Sequence, residues 1–174
     1  MPAATTTTTP ATRILGIDPS LRGTGYAIVT GTAKQPQVSD YGVIKVPPAY
    51  SLAACLLQIH ECLDDVIKKH RPEILSIEST IYVQSFKTAI TLGSARGIAL
   101  LAAAKAGMQI HEYAPLKIKR ALVGRGRAGK EQVAFMVRAL CGLRETPPSD
   151  AADAIACAIT HLNQETHARN TLAR

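Results

Sequence analysis

Aromatic residues are scarce in this sequence. It has no tryptophan, two phenylalanines and five tyrosines, so aromatic residues make up 4% of its 174 positions. Hydrophobic residues of all kinds nevertheless make up 47% of the sequence. This length and composition predict a single domain with a substantial core. The longest apolar run, residues 97–106, contains Lys105 and is too short to cross a membrane.

Cysteine is also rare, and its spacing excludes the usual metal motifs. The four cysteines form no CxxC pair and lack the spacing of zinc ligands. We predict that all four are small core residues of a reduced, cytoplasmic protein: Cys55, Cys62, Cys141 and Cys157.

The chain ends differ in composition from the middle. Residues 1–12 are mainly Ala, Thr and Pro and lack the apolar segment of a signal peptide. We expect a disordered N-terminal extension over residues 1–12, one domain over residues 13–165 and a C-terminal tail over residues 166–174.

The sequence has fewer acidic residues than basic ones. Asp and Glu number 13 against 20 Lys and Arg, which gives a net charge of +7. Residues 117–138 hold seven of these cations and one anion, Glu131. A clustered basic segment is typical of a polyanion partner, because each neutralised phosphate releases condensed counterions. The alternative is an ordinary solvated basic face.

Hydrophobic spacing and turn residues predict an α/β fold with a mixed sheet, since a strand hairpin comes first and helices alternate with strands afterwards. The predicted strands cover residues 13–18, 24–30, 38–46, 74–78 and 109–113. The predicted helices run from the cap Ser51 to His70 and over residues 86–106, 117–123, 130–141 and 150–163.

Four carboxylates stand at the ends of predicted elements. Asp18 and Glu78 end apolar strands, while Asp150 and Asp153 share one face of the first turn of the last helix. If these ends meet, the anions repel one another unless cations neutralise them. Mg²⁺ prefers such oxygen ligands, and two ions roughly 3.5–4 Å apart can activate water and stabilise the leaving oxygen in phosphodiester cleavage. Taken singly, Asp18 could be a turn residue, Glu78 a surface acid and Asp150 a helix N-terminal residue.

Three segments together resemble the RuvC family of Holliday junction resolvases. They are ILGIDPSLRGTGY at residues 14–26, Glu78 followed by LGSARG at residues 92–97, and SDAADAIACAITH at residues 149–161. The resemblance implies a ribonuclease-H-like fold, with the mixed five-stranded sheet flanked by helices. It implies a homodimer that makes paired symmetric nicks in four-way junction DNA during recombination and repair, together with the RuvA and RuvB branch-migration proteins.

The resemblance also assigns roles. It implies that two Mg²⁺ ions, or Mn²⁺, are held by the catalytic acids Asp18, Glu78, Asp150 and Asp153. The family's basic positions fall on Lys119 and Lys130. The family can carry an aromatic residue three positions after the acid in the second motif, where this chain has Ile81 followed by Tyr82. Together with the arginines of the basic segment, which can bind phosphate, these positions give the candidate DNA-binding residues Lys119, Lys130, Arg120, Arg125, Arg127 and Tyr82.

Other interpretations stay open at this point. Residues 124–130 match a phosphate-binding loop, but Glu131 stands where the magnesium-binding Ser or Thr is needed, which disfavours nucleotide binding. An actin-like kinase would need a second domain. A YqgF-type nuclease acting on RNA and a non-catalytic nucleic-acid-binding module remain alternatives. His161 is predicted to be a capping or surface residue near a helix end.

Overall fold

The computed structural model describes residues 12–79, 85–123 and 129–172. These ranges contain five strands and five helices. In chain order they are β1 (Ile14–Asp18), β2 (Gly23–Thr32), β3 (Gln35–Lys45), α1 (Leu52–His70), β4 (Ile74–Glu78), α2 (Phe86–Lys105), β5 (Gln109–Tyr113), α3 (Pro115–Val123), α4 (Lys130–Cys141) and α5 (Ser149–Leu172).

The strands form one mixed sheet in the order β3-β2-β1-β4-β5. The first three strands are antiparallel neighbours, and β4 and β5 extend the sheet parallel to β1. This arrangement confirms the predicted mixed five-stranded sheet. Ile17 of β1 is paired with Ile77 of β4, so the residues that follow them, Asp18 and Glu78, leave neighbouring strands at the same edge.

Helices cover both faces of the sheet, and the alternation along each strand separates two cores. Leu15 and Ile17 belong to the core under α1 and α2, whereas Ile14 belongs to the core under α3, α4 and α5. Because side chains alternate along a strand, Asp18 follows Ile14 onto the α5 face, and Glu78 follows Ile74 onto the same face. Both cores are mainly aliphatic, and Tyr113 is buried in the core under α3, α4 and α5.

Helix α5 lies unusually close to the sheet because two strand glycines face it. A β-carbon at Gly16 would collide with the carbonyl oxygen of Ala154, and one at Gly25 would collide with that of Asp150. The buried hydroxyl of Ser76 on β4 donates a hydrogen bond to the carbonyl of Cys157, at 2.6 Å. The start of α5, with its two acids, is therefore held against the strand ends.

Most predicted element ends agree with the structure, and Ser51 caps α1 by accepting a hydrogen bond from the amide of Ala54 at 3.3 Å. Two ends are wrong. Helix α3 begins at Pro115, because proline suits the first turn of a helix, where no amide donor is needed. Helix α5 continues to Leu172 instead of stopping near Asn163, because no glycine or proline interrupts the chain there.

Some of the sequence predictions concern residues outside the described ranges. Tyr82, Arg125, Arg127 and residues 1–11 lie outside them, and the proposed domain boundaries stay predictions. All four cysteines are free; Cys55 and Cys157 are buried, whereas Cys62 and Cys141 are only partly buried. Across the described helices, none combines the length and apolarity that crossing a membrane requires.

Candidate active site

Three of the four predicted acids line one cavity. Asp18 enters it from the end of β1, Glu78 from the end of β4 and Asp153 from the first turns of α5. The cavity has a volume of about 270 Å³. Its remaining lining comes from α3 and α4 and consists of Pro115, Ile118, Lys119, Lys130 and Val133. The structure therefore brings together acids that are 135 positions apart in the chain (153 − 18).

Asp18 is the most strongly perturbed of these acids. Burial, followed by the negative charges of Asp153 and Glu78, raises the pKa of Asp18 to about 7, and the nearby ammonium of Lys130 offsets only part of the rise. Without a further cation, its carboxyl group therefore holds a proton up to near-neutral pH. The energetic cost of ionising Asp18 is what a bound cation would remove.

Glu78 and Asp153 respond to the same surroundings. Burial raises the pKa of both carboxyls, and the charge of Asp153 raises that of Glu78 further. Lys119 and Lys130 lower both pKa values, so the two lysines lie close enough to act on the acids directly. The cavity thus combines three acids in mutual repulsion with two cations at its wall.

Asp150 occupies a different position from the other three acids. It lines a neighbouring groove with Arg22 and Lys45, and a β-carbon on Gly23 would lie 3.0 Å from its Oδ2 atom. Its charge still reaches the cavity, because it raises the pKa of Asp18 and of Asp153. Asp150 therefore acts on the cavity electrostatically from beside it.

The donor chemistry of the cavity fits a hard divalent cation. Carboxylate oxygens are the ligands that Mg²⁺ and Mn²⁺ prefer, and the raised pKa values show that the anions lack full compensation from the lysines. Within residues 12–79, 85–123 and 129–172, however, no three acidic, cysteine or histidine side chains already converge into a formed ligand cage. The acids Asp18, Glu78 and Asp153, which line the cavity together, are the ones that would hold an ion.

Comparison with known proteins agrees with this geometry. The family model described as crossover junction endodeoxyribonuclease RuvC matches residues 14–161. The chain belongs to the RuvC family. The RuvC of Akkermansia muciniphila is 52% identical over 150 residues, which cover 86% of this chain and 90% of that one. The RuvC of Caldanaerobacter subterraneus subsp. tengcongensis is 43% identical over 163 residues, covering 93% and 96%.

A solved RuvC structure has the same fold. The structure described as T. thermophilus RuvC in complex with Holliday junction substrate superimposes with a TM-score of 0.85 at 34% identity, and the match covers 90% of this chain and 96% of that one. The yeast mitochondrial Holliday junction resolvase Ydc2 shares the fold at 14% identity, with a TM-score of 0.66. The ribonuclease-H-like fold expected from the RuvC motifs is thereby confirmed.

The candidate DNA-binding residues of this chain are distributed unevenly around the cavity. Lys119 and Lys130 line it, and Arg120 is exposed one position further along α3. Tyr82, Arg125 and Arg127 lie beyond the part of the chain that the structure describes. The predicted basic surface therefore begins at the wall of the acid cavity.

The structure also gives a contact to one polar residue for which the sequence predicted no role, and it corrects the prediction for another. Arg96, in the LGSARG segment, donates a hydrogen bond to the carbonyl of Glu78. The prediction for His161 is wrong: its side chain is buried, and its Nδ1 atom lies 2.8 Å from the hydroxyl of Tyr113. His161 is internal because α5 continues well beyond it. Arg96 and His161 both lie within the RuvC-like motifs, and this was the signal in the sequence that could have pointed to them.

Proposed function

We propose that this protein resolves four-way DNA junctions by metal-dependent hydrolysis of phosphodiester bonds, in recombination and repair. The observation that carries the proposal is the cavity in which Asp18, Glu78 and Asp153 meet Lys119 and Lys130. The RuvC relatives, including one described in complex with a Holliday junction substrate, support the choice of DNA junctions as the substrate.

In this proposal the acids hold divalent ions, two Mg²⁺ per site or Mn²⁺ in their place. Such ions, when bound, supply Lewis-acid activation of water and stabilisation of the leaving oxygen. Asp18 is the central ligand because it lies among the other acids, with Glu78 on the adjacent strand and Asp153 on α5. Asp150, beside the cavity, is proposed as the fourth acid and orients the attacking water.

The two lysines at the cavity wall attract the substrate's phosphate group. Lys119 and Lys130 stand between the acids and the exposed surfaces of α3 and α4. Ammonium groups there partly offset the repulsion between the acids and the DNA backbone. Arg120, together with Arg125, Arg127 and Tyr82, is proposed to extend this DNA-binding surface.

Paired symmetric nicks require two active sites, and we propose a homodimer formed through α2. One face of α2 is exposed and consists of Phe86, Ile90, Gly93, Gly97 and Leu101, which we name the α2 apolar stripe. Phe86 is 91% exposed in the single chain, which is unusual for so large an apolar side chain. We also propose that the protein acts together with RuvA and RuvB and is located in the cytoplasm.

Cleavage of an immobile four-way junction tests the proposed activity. The protein is incubated with the junction, a linear duplex of the same sequence and an RNA strand, with Mg²⁺ or with Ca²⁺. We expect paired nicks at symmetric positions in the junction, in Mg²⁺ and not in Ca²⁺. Asp18→Asn should abolish cleavage yet bind the junction at least as tightly, because it removes a negative charge. If the protein cleaved only the RNA strand, or bound the junction without cleaving it, the proposal would be wrong.

A further inference from the structure

Arg96 connects the helix layer opposite the cavity to one of the acids within it. Helix α2 packs on the face of the sheet away from α5. The Nη1 atom of Arg96 nevertheless donates a hydrogen bond to the carbonyl oxygen of Glu78, at 2.8 Å. Its Nη2 atom lies 2.6 Å from Oε2 of Glu112 on β5. The Arg96 side chain is only 13% exposed, whereas that of Glu112 is 45% exposed, so the ion pair lies at the rim of the helix layer and the contact with Glu78 is partly buried.

The contact fixes one particular peptide group. The carbonyl of Glu78 and the amide of Ser79 belong to the same planar unit. The amide of Ser79 donates to the carbonyl of Tyr113 at 2.9 Å, while the carbonyl of Glu78 accepts from Arg96. The peptide plane is therefore held at both ends, and the backbone torsion ψ of Glu78 is fixed with it.

Glu78 needs such support because it ends its strand. The pairing of β1 with β4 stops at Ile17 and Ile77, one residue before Glu78. The guanidinium of Arg96 thus supplies a hydrogen bond where the pairing with β1 has ended. Glu112 completes the arrangement, since a largely buried arginine without an anionic partner would be costly.

We propose that Arg96 is a positioning residue that aims the carboxylate of Glu78 into the acid cavity. Arg96 acts on the backbone and leaves the carboxylate oxygens of Glu78 available to a cation. A lysine in its place would keep the charge but could not span both partners, because only arginine presents a fork of donors. The proposal rests on the proposed function, in which Glu78 helps to hold a divalent ion.

Direct measurement of metal affinity tests the inference without relying on catalysis. Mn²⁺ is titrated calorimetrically into the DNA-free full-length protein at pH 8, for the wild type and for Arg96→Lys. We expect Arg96→Lys to bind Mn²⁺ about 10-fold more weakly, because groups that orient a metal ligand typically contribute 10–100-fold to affinity. Junction binding in Ca²⁺, measured in parallel, should stay within about twofold of the wild type, because Arg96 lies in the layer opposite the lysines.

Arg13→Lys is the matched control. The Nε atom of Arg13 also donates to a backbone carbonyl, that of Arg71, at 3.2 Å, but it does so at the opposite end of β1. This variant loses a more exposed hydrogen bond of the same chemical type and should keep the Mn²⁺ affinity of the wild type. Glu112→Gln retains Arg96 and removes its carboxylate partner, so we expect a smaller loss than in Arg96→Lys.

The possible results of these titrations distinguish the positioning role of Arg96 from the proposed nuclease function. Wild-type Mn²⁺ affinity in Arg96→Lys, or an equal loss in Arg13→Lys, would overturn the positioning role while leaving the nuclease proposal intact. A wild-type protein that neither binds Mn²⁺ nor cuts junctions would overturn the proposed function itself. If Arg96→Lys fails to fold, Arg96→Met decides, because it removes the donors to the Glu78 carbonyl while keeping an unbranched side chain, and undiminished Mn²⁺ affinity there contradicts the role of Arg96.

Discussion

At the scale of single residues, Asp18 links the chemistry of the site to the stability of the fold. Its ordinary pKa is 3.8, whereas the folded, metal-free protein raises it to about 7 through burial and the neighbouring acids. Between these two values the folded chain holds a proton that the unfolded chain has released. The contribution of Asp18 to the free energy of unfolding therefore falls as the pH rises from about 4 to about 7, whereas the lowered pKa of the buried His161 contributes with the opposite sign. Glu78 and Asp153 have raised pKa values too and contribute with the same sign as Asp18.

Urea denaturation in EDTA should reveal this dependence. We expect the wild type to be more stable at pH 5 than at pH 8 by about 2–4 kcal/mol, and Asp18→Asn to lose much of that difference. Mg²⁺ or Mn²⁺ added at pH 8 should restore stability, because the cation binds the ionised acids of the folded state. Equal pH dependence in the wild type and Asp18→Asn would contradict the assignment.

The lysines of the cavity wall make a separate prediction about DNA affinity. Lys119→Ala and Lys130→Ala should each weaken junction binding and reduce the slope of log affinity against log salt by about 1, because each removes one phosphate contact. The measurement is fluorescence anisotropy in Ca²⁺ across a range of salt concentrations. Lys68→Ala is the control, since Lys68 lies on α1 and pairs with Asp64 at 2.5 Å. Its slope should match the wild type.

At the scale of elements, the contact between α5 and the sheet determines where two of the four acids lie. The glycines at positions 16 and 25 remove the side chains that would otherwise push α5 outward. The bond from Ser76 to Cys157 then sets the helix along β4. This close approach is what brings Asp153 beside Asp18 and Glu78.

Gly16→Ala tests that approach. Its β-carbon would overlap the backbone of Ala154, so we expect a loss of about 1–3 kcal/mol in the free energy of unfolding and slower junction cleavage. The control is Gly129→Ala, whose β-carbon meets no atom of the described residues within 4 Å and should cost less than about 1 kcal/mol. If Gly16→Ala cleaved at the wild-type rate and kept its stability, close packing of α5 would not be required.

At the scale of the whole molecule, the α2 apolar stripe determines the proposed association. Leu101→Glu places a charge within the stripe and should shift the protein from dimer to monomer in sedimentation velocity, because burying an unpaired charge is unfavourable. Phe135→Glu is the matched control, because Phe135 is similarly exposed but lies on α4. A Leu101→Glu dimer as tight as the wild type would place the interface elsewhere.

The sequence alone predicted most of the fold, because its signals are local. Alternating hydrophobic residues and turn chemistry located all five strands, and the cap at Ser51 located the start of α1. The RuvC-like motifs selected the four acids and the two lysines. The end of α5 was missed because the sequence beyond Asn163 carries no residue that signals whether the helix stops or continues. The wrong prediction that His161 lies at the surface near a helix end followed from that error.

Only the tertiary structure decided which of these residues lie next to one another. Sequence spacing put Asp150 and Asp153 on one helical face, yet the packing of α5 directs Asp153 into the cavity and Asp150 into the groove beside Gly23. The role of Arg96 depends on a contact with the carbonyl of Glu78 across the end of the sheet. Residue type and local periodicity are encoded along the chain, whereas these distances depend on contacts between elements far apart in sequence. The sequence determined which acids are available, and the packing of α5 against glycine-bearing strands determined which of them meet.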